Sequence, residues 1–111
     1  MEESPLYVRT YEMLLWLVPA VQKFPRTHRF ALAERIQRLA LDFQDNLTVA
    51  GKRSGPTRKT ALERADVLLA QLRFWMRFTR DLHLLSLPQY EHAARLLTEV
   101  GRLLGAWLKQ V

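Results

Sequence analysis

The chain has 111 residues, and its 17 Lys and Arg outnumber its 11 Asp and Glu to give a net charge of +6. A chain of this length forms one domain, which we expect to span residues 1–111. Because the chain has no cysteine, disulfides, thiolate metal sites and a cysteine nucleophile are excluded. The excess of positive charge indicates either a polyanionic partner, above all nucleic acid, or a solvated surface with surplus arginine.

The hydropathy pattern and the first residues bear on where the protein is located. No apolar run approaches the roughly 20 residues that are needed to cross a bilayer. The acidic, polar start MEESP, residues 1–5, predicts no secretory signal. The lack of cysteine also suits a reducing compartment. We therefore expect a cytoplasmic protein without a membrane segment.

The first helix is predicted over residues 6–23. Pro5 provides a suitable start, because proline is tolerated in the first helical turn. Pro19 lacks a backbone donor and therefore predicts a kink or a looser turn. Pro25 ends the helix, since the residue before a proline is disfavoured in the helical region. A sharp corner at residues 24–26 then leads into the next helix.

The second helix is predicted over residues 27–50, with Thr27 as its N-cap. Its inward stripe follows three- and four-residue steps and consists of Phe30, Ala33, Ile36, Leu39, Ala40, Phe43 and Leu47. Residues 51–56, GKRSGP, combine glycine and proline and predict the clearest loop of the chain.

The third helix is predicted over residues 57–84, with Thr57 or Thr60 as its N-cap. Its buried stripe is predicted to contain Leu62, Ala65, Leu69, Leu72, Met76 and either Leu82 or His83. This helix has more apolar residues than one inward face accommodates, because Leu68 and three aromatic residues widen the stripe. A helix that is apolar on two sides needs a second partner outside the bundle, which predicts an oligomer.

The fourth helix is predicted over residues 88–109, with Pro88 in its first turn. Gly101 and Gly105 lie one turn apart, and we expect them to let two helix backbones approach closely. No segment shows the alternation of a strand. Four amphipathic helices with short connections predict an all-α fold, the antiparallel up-down-up-down four-helix bundle.

The sequence offers little for catalysis. The three histidines, His28, His83 and His92, do not lie at a metal-ligand spacing. We expect His83 to be a structural histidine beside the apolar stripe. Residues 51–56 lack the Gly-Lys-Ser/Thr ending and the preceding strand of a phosphate-binding loop. The serines have no candidate base, so we expect neither catalysis nor a metal or cofactor.

Basic residues are concentrated at two points of the chain. The first group, which we call the corner cluster, consists of Lys23, Arg26, His28 and Arg29. The second group, the turn cluster, consists of Lys52, Arg53, Arg58 and Lys59. The two ends of one bundle helix lie at opposite ends of the bundle. The clusters are therefore predicted to form two separate basic surfaces that bind nucleic-acid phosphates.

A third basic group lies on one face of the third helix. This arginine stripe consists of Arg73, Arg77 and Arg80, and no acidic residue is predicted on the same face. Neighbouring like charges repel one another, so such a stripe is better explained by a phosphate backbone than by stability. Between the arginines lies an aromatic cluster of Phe74, Trp75 and Phe78. Base stacking is one interpretation of it, and burial in the core or at a subunit interface is the favoured one.

Several stretches resemble the accessory variability determinant family of diversity-generating retroelements. They are YEMLLWLVP at residues 11–19, KFPR at residues 23–26, RFALAERI at residues 29–36, QYE at residues 89–91 and GRLLGAWLK at residues 101–109. The stretches occur in the family's order and span nearly the whole chain. The family pattern usually has glycine where Ala33 and Ala106 stand here, and both replacements are small.

This resemblance implies a four-helix protomer in a basic, pentameric, barrel-like ring. It also implies partners, namely the error-prone reverse transcriptase of the retroelement, its template RNA and the cDNA, in a non-catalytic role that supports mutagenic retrohoming. Two other interpretations stay open. One is the four-helix-bundle type encoded in intervening sequences of large-subunit ribosomal RNA genes, and the other is a structural oligomer without a nucleic-acid role.

Overall fold

The computed structural model describes residues 4–111. The acidic start from which we predicted the absence of a secretory signal includes residues 1–3, which lie outside the described part. Four long helical segments make up the described chain. They are α1 (Pro5–Gln22), α2 in three consecutive pieces (Arg26–His28, Arg29–Ala33 and Glu34–Lys52), α3 (Gly55–Asp81) and α4 (Leu87–Leu108).

Helix α1 begins as the sequence predicts, with Pro5 in its first turn. The helix contains Pro19 and continues to Gln22, so it ends before Pro25 as predicted. After Gln22 the chain makes a tighter turn, in which the amide of Phe24 donates to the carbonyl of Val21, three residues earlier, at 3.1 Å. The Phe24 ring is buried and anchors the corner between α1 and α2 in the core.

Helix α2 contains a π-helical segment, Arg29–Ala33, in its first turns. A π turn contains more residues than an α turn, so it rotates the preceding residues relative to the inward stripe. As a result Leu32 is buried, whereas Phe30 is 77% exposed. The prediction that Phe30 belongs to the core is therefore wrong. Thr27 is not the N-cap either, since Pro25 occupies that position.

The connection between α2 and α3 is shorter than predicted. Helix α2 continues to Lys52 and α3 already begins at Gly55, so two residues connect them instead of a loop over 51–56. Gly55 makes this possible because it adopts a φ of 61°, which glycine tolerates without strain. The predicted caps Thr57 and Thr60 lie inside the helix.

The connection between α3 and α4 corrects the prediction for two residues. Helix α3 ends at Asp81, so Leu82 is 40% exposed and does not extend the buried stripe. His83 is exposed and has a φ of 61°, which makes it a turn residue and not a structural histidine of the core. Ser86 then caps α4, accepting from the Gln89 amide while the Gln89 side chain accepts from the Ser86 amide.

The four helices pack as a bundle in which α1 and α3 lie diagonally opposite each other. Residues from all four helices fill the core, with Met13, Phe43, Leu62, Met76 and Val100 among the fully buried side chains. Leu68 is also buried, at 7% exposure. The prediction that it contributes to a second, outward apolar face of the helix is therefore wrong. The predicted helical bundle is confirmed, and no strand occurs within residues 4–111.

The few buried polar side chains are satisfied within their own helices. Thr10 donates to the Leu6 carbonyl at 2.7 Å, and Thr79 donates to the Met76 carbonyl at 2.6 Å. In the described residues, no buried side-chain nitrogen or oxygen lacks a hydrogen-bond partner. None of the helices described here combines the length and apolarity that a membrane span requires.

Candidate nucleic-acid interface

The corner cluster lies on the surface at the start of α2. Lys23, Arg26 and Arg29 are exposed and His28 is half-buried. Arg29 begins the π-helical segment, and the exposed ring of Phe30 follows it directly. The sequence predicted the charges but not the exposed ring, because the periodicity contains no signal for a π turn.

The turn cluster lies at the other end of α2, where the two-residue connection brings its members together. The final α-helical piece, Glu34–Lys52, has 19 residues and extends for about 28 Å at 1.5 Å per residue. The two clusters are therefore far apart, as the sequence predicts. Lys52, Arg53 and Lys59 are exposed, whereas Arg58 is half-buried and donates from Nε to the Ala50 carbonyl at 2.8 Å.

The arginine stripe is less uniform than the sequence predicts. Arg73 is exposed, yet its Nη2 donates to the carbonyl of Leu97 at 3.0 Å and so connects α3 to α4. Arg80 forms an ion pair with Asp81 at 3.0 Å and lies over the Tyr90 ring, 4.8 Å from its centroid. The expectation that no acidic residue accompanies the stripe is therefore wrong for Arg80.

Arg77 has a different environment. Its guanidinium carbon lies 5.8 Å from the centroid of the Phe74 ring, and the structure shows no acidic partner for it among residues 4–111. Of the three stripe arginines, Arg77 is thus the one whose charge is balanced by neither a carbonyl nor a carboxylate. It is the stripe residue best suited to a phosphate.

The aromatic cluster lies next to Arg77 on the surface of α3. Trp75 is half-buried and makes edge-to-face contacts with the rings of Phe74 and Phe78, at centroid distances of 5.1 and 5.5 Å. Phe74 and Phe78 are 53% and 41% exposed. Core burial is therefore excluded for these two rings in the single chain, while the predicted role at a subunit interface stays a prediction.

One end of the bundle combines two of the three basic groups. Lys23 and Phe24 of the corner line a groove of about 290 Å³ together with Leu84 and Leu85 of the α3–α4 connection and Gln89 of the first turn of α4. Because α3 ends beside this connection, the Arg80 end of the stripe and the corner cluster lie at the same end of the molecule. The turn cluster stands alone at the other end.

Acidic partners are distributed differently from the basic clusters. The ion pairs of the described residues are Arg9–Glu12, Arg38–Glu34, Arg80–Asp81 and Arg102–Glu99. None involves a member of the corner or turn cluster. The hydrogen bond from Arg102 lowers the pKa of Glu99. The corner and turn clusters at the two ends of the bundle therefore have no ion-pair partner within residues 4–111.

The structure does not assemble the histidines into a site. His92 packs against Trp16 with a centroid distance of 5.1 Å, while His28 and His83 lie beside two different connections between helices. Residues 4–111 contain no group of three His, Asp or Glu side chains arranged to hold a metal ion.

The fold has a relative among solved structures. A protein of unknown function from the S23 ribosomal protein family of Bacteroides thetaiotaomicron superposes with a TM-score of 0.85. The match covers 94% of this chain and 95% of that protein at 17% sequence identity, so it shows a shared four-helix fold and no more. No curated protein matches the chain.

The family comparison goes further, and it agrees with the resemblance seen in the sequence. The model of the bAvd-like family matches residues 6–111, which include all four helices, both basic clusters and the arginine stripe. Since the match extends over nearly the entire chain, this four-helix bundle belongs to the bAvd-like family.

Proposed function

We propose that the protein is a non-catalytic accessory of a diversity-generating retroelement. In this role it binds nucleic-acid phosphates as a homo-oligomer, a pentameric ring, in the cytoplasm. It associates with the error-prone reverse transcriptase and with the template RNA and its cDNA, and so supports mutagenic retrohoming. Membership of the bAvd-like family supports the accessory role at the level of the family.

The observation that carries the nucleic-acid part is the uncompensated charge at the bundle ends. Arg26 and Arg29 are exposed, lie one turn apart and have no acidic partner among residues 4–111. Arg77 adds a third such charge on α3. Arginine forks of this kind neutralise phosphates and release counterions, which gives binding with little sequence preference and a steep salt dependence.

A salt series with a fluorescent single-stranded RNA tests this role. Arg26→Gln with Arg29→Gln should weaken binding similarly for unrelated sequences. It should also reduce the slope of log affinity against log salt by about 0.7 for each phosphate that the variant no longer neutralises. The matched control is Arg38→Gln with Arg102→Gln, which removes the same charge from positions that are ion-paired. An equal decrease in affinity for both variants would mean that only net charge matters and would contradict the assigned surface.

We propose that the aromatic cluster forms the interface between subunits of the homo-oligomer. Rings as exposed as Phe74 and Phe78 form an apolar surface that a monomer would leave in water. Phe74→Ser with Phe78→Ser should therefore lower the mass of the particle measured by sedimentation. The control is Tyr11→Ser with Leu15→Ser on α1, two residues that are similarly exposed. A wild-type mass of one protomer would contradict the oligomer.

Association with the polymerase requires its own test. A neighbouring reverse transcriptase gene with template and variable repeats, and co-purification of that enzyme with this protein, would support the proposal. The second candidate is the class encoded within intervening sequences of large-subunit ribosomal RNA genes. Its support is the fold shared with the S23-family protein, and an open reading frame inside a ribosomal RNA gene would favour it. A structural oligomer without a nucleic-acid role predicts no RNA retention at physiological salt.

A further inference from the structure

The end of the bundle that carries the turn cluster contains a cavity of about 460 Å³. All four helices contribute to it, and the lining includes Tyr7 of α1, Gly51 of α2, Arg58 of α3, and Leu103 and Trp107 of α4. This volume lies within the range of small-molecule sites, and a mostly apolar and aromatic lining with one cation is typical of such sites.

The aromatic walls are held in place by contacts between helices. The Tyr7 hydroxyl donates to the Leu47 carbonyl at 2.6 Å, and its ring meets the Trp107 ring edge-on with a centroid distance of 6.3 Å. Gly51 makes room for this arrangement, because a Cβ there would collide with the Tyr7 hydroxyl. Two aromatic rings from different helices are therefore fixed beside the cavity before any ligand binds.

Arg58 is oriented toward the same space. Its Nε is held by the Ala50 carbonyl at 2.8 Å, and its guanidinium carbon lies 5.6 Å from the Trp107 ring centroid. Neither Nη atom makes a hydrogen bond to another side chain or carbonyl of residues 4–111. A guanidinium tethered through Nε presents the remaining N–H groups as a fork, which matches two oxygens of a phosphate.

We propose that this cavity binds one nucleoside monophosphate unit, with its phosphate on Arg58 and its base against Tyr7 and Trp107. The turn-cluster charges Lys52, Arg53 and Lys59 flank the cavity in the chain and favour an anionic ligand. The unit is either a free nucleotide or the 5′-phosphorylated end of a strand. If the unit is the end of a strand, this inference extends the proposed nucleic-acid function and rests on it.

Tryptophan fluorescence provides the test, because the chain has 3 tryptophans and Trp16→Phe with Trp75→Phe leaves Trp107 as the sole reporter. Adenosine monophosphate should change its emission with an affinity at least tenfold higher than adenosine or inorganic phosphate alone. Arg58→Gln should weaken this binding at least tenfold, while Arg64→Gln, an exposed arginine on the same helix, should leave it unchanged. Circular dichroism and urea unfolding of each variant show that the bundle is intact.

An RNA strand with and without a 5′-phosphate distinguishes the two sources of the ligand. Tighter binding of the phosphorylated strand, abolished by Arg58→Gln, identifies a strand end, and equal binding of both strands together with the nucleotide response identifies a free nucleotide. If RNA binds with a steep salt slope but neither probe affects Trp107, the cavity inference is wrong and the proposed function stands. If the nucleotide binds and RNA does not, the cavity inference stands and the proposed function fails.

Discussion

Arg73 of α3 lies directly over Gly101 of α4. The guanidinium occupies the place that a Cβ of residue 101 would take, and its Nη2 donates to the Leu97 carbonyl one turn earlier at 3.0 Å. We predicted that Gly101 allows two helix backbones to approach closely. This prediction is wrong, because the space beside Gly101 is occupied by the Arg73 side chain and not by a second backbone. At Gly105 nothing lies within 4 Å of an added Cβ.

Replacing Gly101 with alanine should stabilise the protein less than its helix propensity suggests. Alanine in a helix interior is favoured over glycine by about 1 kcal/mol, but the new methyl group displaces Arg73 from the Leu97 carbonyl. In a chain that also carries Arg73→Ala, the same change should recover most of the gain, since the remaining close neighbour of the added methyl group is Leu69 Cδ2 at 3.3 Å. Urea unfolding of the two single variants and the double variant measures the coupling free energy between the positions.

Gly105→Ala is the matched control for this pair. The added methyl group meets no neighbour, so the change should raise the free energy of unfolding by up to about 1 kcal/mol. Its effect should be the same with arginine or alanine at position 73. Zero coupling between Gly101 and Arg73 under these conditions would contradict the contact.

Phe43 should be among the side chains on which stability depends most. It is fully buried in α2, and Phe43→Ala should lower the free energy of unfolding by about 3–5 kcal/mol, because it removes buried apolar surface and leaves an internal cavity. Leu41→Ala, on the exposed side of the same helix at 50% exposure, should change it by less than about 0.5 kcal/mol. Similar decreases for the two variants would mean that α2 faces a partner on its outer side.

Ser86 should determine where α4 begins. Its side chain accepts from the Gln89 amide at 3.2 Å, and the Gln89 side chain accepts from the Ser86 amide at 2.8 Å. Ser86→Ala should lower the free energy of unfolding by about 1 kcal/mol, whereas Ser86→Asp should restore most of it. Faster hydrogen exchange confined to the first turn of α4 would locate the effect.

The contribution of Glu99 to stability should be small and should decrease as the pH falls. The hydrogen bond from Arg102, followed by the charges of Arg102 and Arg9, lowers its pKa below the usual value of 4.5. A carboxyl whose pKa is lower in the folded state contributes stability above the unfolded-state pKa, and this contribution disappears as the pH falls through the folded-state value. Carboxyl resonances in an NMR titration should show the lowered pKa, and Arg102→Gln should raise it. An unchanged midpoint in that variant would contradict the ion pair.

Hydrophobic periodicity alone predicts most of the core. From Ile36 to Leu47 in α2, and from Leu62 to Met76 in α3, the predicted inward positions are buried, because a regular α-helix keeps residues at three- and four-residue steps on one face. The same rule fails at Phe30, where the helix is locally π. It also fails at His83, where the helix has already ended.

The basic residues of the candidate interface show the same difference between what the sequence predicts and what depends on tertiary structure. The sequence alone determined that the charge is concentrated in three groups and that two of them lie at opposite ends, since both conclusions follow from chain order and helix length. Only the tertiary structure decided which arginines are available. Arg73 and Arg80 find their carbonyl or aromatic partners on α4, whereas Arg26 and Arg29 find none among residues 4–111. Such pairings join residues that are far apart in the chain, so they cannot be predicted from the local sequence.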